Sequence, residues 1–254
     1  GTKRKLSKRK DPECAMHFYH EKGIPTQAVK LYLMTLANTN FEQWMDANKD
    51  KTIDDFEFSF NKISKSGGLF DMEKLNNISK NYLSRIKACE FYEMLVNYTK
   101  EYDEEFYELI TKYKDFTIGL LNIEREQKKP RKDYAAFSEV KELVWYMYDE
   151  LFNKHEKTYE FTNITDKDEI IKLMRTYIEK YYDEEDDQQT WFERIKDLSE
   201  EFGYAREVKE YKENPDNYKG NVADISNIIR VGVTSLTQTP DLYIILKLLG
   251  KDRI

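Results

Sequence analysis

The residues best suited to chemistry lie near the start of the chain. Lys5-Leu6-Ser7-Lys8-Arg9 sets cationic groups on both sides of a small hydroxyl residue. Such a segment suits phosphate chemistry. Flexible ammonium groups meet negative charge as it builds on phosphate oxygens, and a serine hydroxyl can donate to one of them. Lys8 is assigned to that charge, with Ser7 keeping the loop small. The alternative is a basic tail with no chemistry. Lys62-Ile63-Ser64-Lys65-Ser66 repeats the pattern but runs into Gly67-Gly68 and Asp71, which point to a sharp turn and a helix cap instead. A further basic knot, Lys128, Lys129, Arg131 and Lys132, is interrupted by Pro130 and followed by Tyr134 and Phe137, aromatic rings able to stack on splayed bases. The alternative is a solvated loop in which Arg131 pairs with Asp133 or Glu126. His17, His20 and His155 are isolated, and Cys14 and Cys89 form no CxxC, so no metal site is expected.

Helices must position these groups. Pro25 opens one, continued by Ala28, Leu31, Tyr32, Thr35 and Leu36 at spacings of three and four. Asp71 caps a second, over 72–83. Two are expected between Cys89 and Ile123, one strongly apolar helix over 140–152, and others over 166–182, 190–202 (closed by Gly203), 222–233 and 241–249. Thr239, before Pro240, is placed to cap the last of these with its hydroxyl. Phe56, Phe58 and Phe60 alternate, as in a short strand or a helix-to-loop turn.

Composition agrees with mostly helix. In 254 residues there are 9 Gly and 5 Pro, too few for the many turns of a β-sandwich. With 19 Tyr, 14 Phe and 3 Trp the chain has ample area for a core, so disorder is excluded. Trp44, Trp145 and Trp191 fall inside apolar patterns and read as core. No apolar stretch approaches the roughly 20 residues of a membrane span. The reduced-thiol pattern and the lack of a secretory signal point to the cytoplasm. Net charge is −7, but unevenly spread: residues 3–10 are basic, whereas Tyr182–Asp187 is acidic and reads as a solvated face that repels nucleic acid.

The KLSKR pentapeptide resembles the KMSKS-type loop of class I aminoacyl-tRNA synthetases. Residues 3–37, 62–83 and 230–254 resemble, in order, bacterial-type glutamyl-tRNA synthetases. The resemblance implies an all-α fold with at most a minor strand near Phe56–Phe60: a stem-contact domain with the KMSKS-type loop (1–86), then two helical anticodon-binding domains (87–155 and 156–254). It implies binding of tRNA(Glu). The nucleotide-binding fold that precedes this loop in the family has no counterpart here, so the chain looks like the C-terminal half of the enzyme. Binding of ATP, magnesium and glutamate, and the role of Lys5, Leu6, Ser7, Lys8 and Arg9, then belong to the whole enzyme, and this half alone is expected to bind no cofactor and to be inactive. Arg131 matches the anticodon-reading arginine of discriminating family members, and Arg230 and Thr239 match positions near the anticodon. Glutamate and glutamine tRNAs differ at the third anticodon base. Cytosine offers acceptors at O2 and N3, guanine donors at N1 and N2, and a guanidinium only donates. The rival expectation is a helical protein-interaction scaffold without RNA binding.

Overall fold

The computed structural model describes residues 6–7, 9–63, 68–164 and 166–254, and they divide into two compact units, Gly1–Leu143 and Val144–Ile254. The described residues form helices and turns with no strand. The all-α expectation holds, with one isolated bridge, Ala205 to Asn221. The alternation at Phe56, Phe58 and Phe60 is not a strand: short 3₁₀ turns at Ile53–Asp55 and Phe60–Lys62 flank an extended link. Phe56 turns its ring edge to Phe41 at 4.9 Å, whereas Phe60 stays 81% exposed.

Unit 1 holds α1 (Met16–Glu21), α2 (Thr26–Ala37), α3 (Phe41–Ala47), α4 (Met72–Leu83), α5 (Ala88–Tyr102), α6 (Glu104–Lys112) and α7 (Lys114–Leu121). Helices α2 and α4 pack through Ala28, Val29, Tyr32, Leu75 and Ile78. The Asp71 carboxylate caps α4 at Lys74 N, 3.1 Å away, as its spacing predicts. Between Cys89 and Ile123 the structure has three helices where two are expected. Asp103 caps α6, its carboxylate accepting from Phe106 N at 3.0 Å, and the extra helix is α7, which begins where the backbone leaves the helical region at Tyr113.

The region 137–152 is not one helix. After a 3₁₀ turn at Phe137–Glu139 come α8 (Val140–Val144), a second 3₁₀ turn at Trp145–Met147, extended Tyr148 and α9 (Asp149–Phe152). Val144 through Tyr148 are all buried, which no single helical stripe provides. The tighter turn re-aims consecutive side chains inward.

Unit 2 continues with α10 (Lys167–Thr176), α11 (Gln188–Glu201), α12 (Val208–Glu213), α13 (Val222–Thr234) and α14 (Leu242–Leu249). α10 passes into a π turn at Tyr177–Tyr181. α11 and α10 both pack on α13, around Leu173, Ile195, Ile225 and Ile229. Gly203, at φ +78°, ends α11 in the left-handed region.

Two expectations change here. Asp241, not Thr239, caps α14, accepting from Ile244 N at 3.0 Å. The helix starts two residues beyond Pro240, out of reach of a Thr239 cap. The acidic run is not simply a solvated face: Asp186 is buried and meets Arg194 Nε at 2.8 Å, and Asp187 caps α11 at Thr190 N, 2.7 Å away. That backbone donor holds the Asp187 carboxyl below its ordinary range.

Burial, with the Glu169 and Asp224 carboxylates, pushes the Tyr204 phenol up to about 12. The folded state therefore keeps a proton that the unfolded chain releases near pH 10, at about the ordinary tyrosine value. Stability is full below that pH and falls as pH rises toward the folded value. Melting temperatures measured from neutral pH upward are expected to drop above about pH 10, less steeply for Tyr204→Phe.

Candidate nucleic-acid interface

The basic knot sits on a loop of unit 1 whose two ends are fixed. At its start, Arg125 is buried. Its Nε donates to Leu121 O at 2.7 Å, and its Nη1 donates to Leu83 O and, at 3.1 Å, to Ile86 O. The guanidinium lies 4.9 Å from the Phe91 ring centroid, and desolvation lowers its pKa from the ordinary value. One side chain thus ties together the ends of α4 and α7 and the turn leading into α5. Glu124, at φ +54°, turns the chain outward, and Arg131 N closes the loop on Glu124 O at 3.0 Å. At the far end Ala135 O accepts from Ser79 Oγ at 2.6 Å, and Ala135 N donates to Glu139 at 2.9 Å.

Within this frame Arg131 is 39% exposed. Its Nε donates to Asp133 Oδ2 at 2.6 Å, and its Nη1 lies 3.6 Å from Glu124 Oε2. The pairing with Asp133 weighed from the sequence therefore occurs, and Glu124 is the second acid where Glu126 was considered. Of the aromatics, Phe137 is core, buried against Phe91 and Tyr98 at 5.6 and 5.8 Å between centroids, and not a free stacking surface. Tyr134 leans on Phe91 at 5.4 Å. Pro130 and Lys132 line a cleft of about 900 Å³, but Arg131 does not. Its wall also carries Lys49, Arg85 and Lys87, which sequence reading did not select because they come from two other segments.

In unit 2, Arg230 and Thr239 are brought together. Arg230 Nη1 on α13 donates to Thr239 Oγ1 at 2.9 Å and to Thr239 O at 3.2 Å, and the threonine hydroxyl donates to Pro240 O at 3.0 Å. Both are half-buried. Near the N-terminus, Ser7 O accepts from Lys10 N and Asp11 N at 2.9 and 2.8 Å, and Ser7 N donates to Asp11 Oδ2 at 2.7 Å. Leu6 and Arg9 flank this turn and are exposed; Lys5 and Lys8 lie outside the described residues. So do Ser64–Gly67 of the second KMSKS-like stretch, whose Lys62 O accepts from Thr39 N at 3.0 Å. Among the described residues no group of three His, Cys, Asp or Glu is arranged for a metal, and no helix is long and apolar enough to cross a membrane.

The glutamate–tRNA ligase of Acetivibrio thermocellus is 44% identical to the whole chain over 254 residues, and that of Clostridium perfringens strain 13 is 41% identical over 255 residues. The ligase of Sorangium cellulosum is 35% identical over 253 residues. The chain belongs to the glutamate–tRNA ligase family. It spans about half the length of the curated relatives it matches, 46%, 46% and 44% in these three. No family model matches it.

The arginine that organises the family member's loop, Arg125, was visible in the sequence only as part of Glu124-Arg125-Glu126, where charged neighbours suggest a solvated residue. Replacing it with alanine leaves three carbonyls without a donor. Arg125→Ala is expected to lower stability by about 3 kcal/mol in urea unfolding, and Lys128→Ala, on the same loop but exposed, by less than about 0.5 kcal/mol.

Proposed function

We propose that the chain is the C-terminal, tRNA-facing part of a glutamate–tRNA ligase and binds the inner corner and anticodon loop of tRNA(Glu). The observation that carries this reading is the 44% identity that runs through the entire chain yet spans 46% of the relative. The three-part division at residues 86 and 155 belongs to the same reading: a stem-contact domain, then two anticodon-binding domains. In the whole ligase ATP, with magnesium, and glutamate are substrates of the charging reaction, and Lys5, Leu6, Ser7, Lys8 and Arg9 are the phosphate-contacting segment. Lys8 meets the charge that builds as pyrophosphate leaves.

Arg131 is the reader of the third anticodon base. Its guanidinium supplies donors to cytosine O2 and N3, while guanine would set donor against donor. The carboxylates of Asp133 and Glu124 support the role by holding the side chain in one orientation before any base arrives, which lowers the entropy lost on binding. Arg230 and Thr239 form the second contact, in which the arginine is held by the threonine hydroxyl and carbonyl. Arg131→Gln in the full-length ligase is expected to relax the preference for cytosine over guanine by roughly 10–100-fold in charging assays on the two tRNAs. Discrimination that stays unchanged removes Arg131 from the role.

A second reading, a protein-interaction scaffold without RNA binding, draws on the exposed side chains of Phe60 and Leu69, at 81% and 73%. Gel shifts of tRNA(Glu) at two salt concentrations separate the readings. Salt-sensitive binding supports the first, and no binding at low salt supports the second.

A further inference from the structure

In unit 1 the turn between α1 and α2 is clamped in place through three successive carbonyls. Glu21 O accepts from the Tyr98 hydroxyl of α5 at 2.8 Å, Lys22 O from Ser138 Oγ at 2.8 Å, and Gly23 O from Phe137 N at 2.9 Å. Gly23 stands at φ +69°, and a Cβ there would lie 2.8 Å from Tyr98 Cε2 and 2.9 Å from Phe137 Cβ, so only glycine lets the chain pass this close. Between this turn and α5 lies a pocket of about 280 Å³. The clamp fixes its walls in advance, which lowers the entropy a ligand must overcome on binding.

The two walls differ in chemistry. On the α5 side Met94, Tyr98 and Tyr102 recur at a spacing of four and form one face. The two tyrosine rings stack, with centroids 5.0 Å apart, and Tyr102 stays 39% exposed. Glu101 lines the same wall. Its carboxylate accepts from the Tyr102 hydroxyl, which holds that phenol above its ordinary value, and the Glu21 carboxylate adds to the negative field there. Among the described residues neither glutamate is in an ion pair, and no lysine or arginine lines the pocket. The Lys22 ammonium lies over the Phe18 ring instead, at 5.1 Å. Unpaired carboxylates are ordinary on a protein surface. Glu101 differs in being fixed at the rim of an aromatic face, beside a preformed hollow. The opposite wall holds the start of α2 at Thr26, which has no side-chain cap. Its partial positive charge keeps a cation on the α5 side.

An aromatic face with a carboxylate at its rim attracts an organic cation. A guanidinium suits it better than an ammonium, because it can stack on the ring with its plane and donate to the carboxylate with its edge. An alkyl stem finds the Met94 thioether, and Asn97 offers an amide oxygen. We infer that this pocket binds an alkylguanidinium group, stacked on Tyr102 and paired with Glu101. The inference does not draw on the tRNA-binding reading, and it uses none of the residues assigned there.

The test uses the intact chain labelled with ¹³C-methyl methionine, with the Met94 resonance assigned through Met94→Leu. The probes are N-acetyl-arginine amide, butylguanidinium, butylammonium and N-acetyl-citrulline amide, the last a neutral match for arginine in shape. The Met94 resonance is expected to move saturably with both guanidinium probes, at roughly millimolar affinity, and to respond far less to citrulline. Glu101→Gln removes the charge at an exposed position, so the fold stays intact, checked by an unchanged thermal melt. It is expected to weaken binding about 3–10-fold, and Tyr102→Leu about 2–5-fold. Tighter binding of the blocked arginine than of butylguanidinium assigns the natural source to a protein segment, and the reverse to a free guanidine; either keeps the site. A stationary Met94 resonance, an equal response to citrulline, or full affinity in Glu101→Gln overturns the inference. Butylammonium binding as tightly as butylguanidinium overturns the choice of a planar cation.

Discussion

A charged side chain taken out of water must be compensated, and Arg125 is compensated by peptide carbonyls. Leu121 O, Leu83 O and, at the next residue but two, Ile86 O each accept from it. These carbonyls sit where α7 and α4 run out of helical partners, so the guanidinium satisfies groups that would otherwise need solvent. Three parts of the candidate interface in unit 1 hang from that junction: the loop that bears Arg131, the wall formed by Arg85 and Lys87, and the start of α5. Because the acceptors belong to the main chain, substitutions of the side chains at these positions leave the acceptors in place. The geometry is carried by the backbone.

Charge in this protein has two uses. Some cations are held inside the fold by acids. Arg194 anchors a buried aspartate, Lys141 joins the start of α6 to α8, and Arg253 Nε reaches Asp149 at 2.6 Å. Exposed pairs of this sort contribute little individually, about 0–1 kcal/mol. The cleft lined by Arg85 and Lys87 instead gathers cations from three segments of the chain. The net acidity of the chain is therefore a poor guide to the local charge at any one surface.

The sequence made the helices over 26–37, 72–83 and 222–234 legible because each has one apolar stripe and a recognisable start, Pro25 for the first and the capping side chains of Asp71 and Asn221 for the others. It was less informative where burial is not one-sided. Val144 to Tyr148 carries no helical period because every residue in it is inward, and the chain resolves this with a 3₁₀ turn. Asp241 was passed over as a cap because Pro240 was read as opening the helix and Thr239 as capping it, two residues too early. Of the candidate site, Arg131 could be found from its proline-broken, basic surroundings, and the Arg230–Thr239 pair from the family resemblance. Lys49, Arg85 and Lys87 could not, since their convergence is a product of folding, and Arg125 was hidden among charged neighbours. Phe137 misled: an aromatic after a basic knot fits base stacking, yet its ring fills the core beside Phe91.

The left-handed turn at Glu124 has a consequence for how such a loop can change. A residue with a Cβ is held there at a cost of about 1 kcal/mol, and glycine would remove that cost. Glycine would also remove the carboxylate that reaches toward Arg131 and leave the guanidinium with a looser grip. Backbone comfort and side-chain order are thus opposed at a single position. Glutamate settles the conflict in favour of order, so whatever this loop recognises, it meets it with a side chain already aimed.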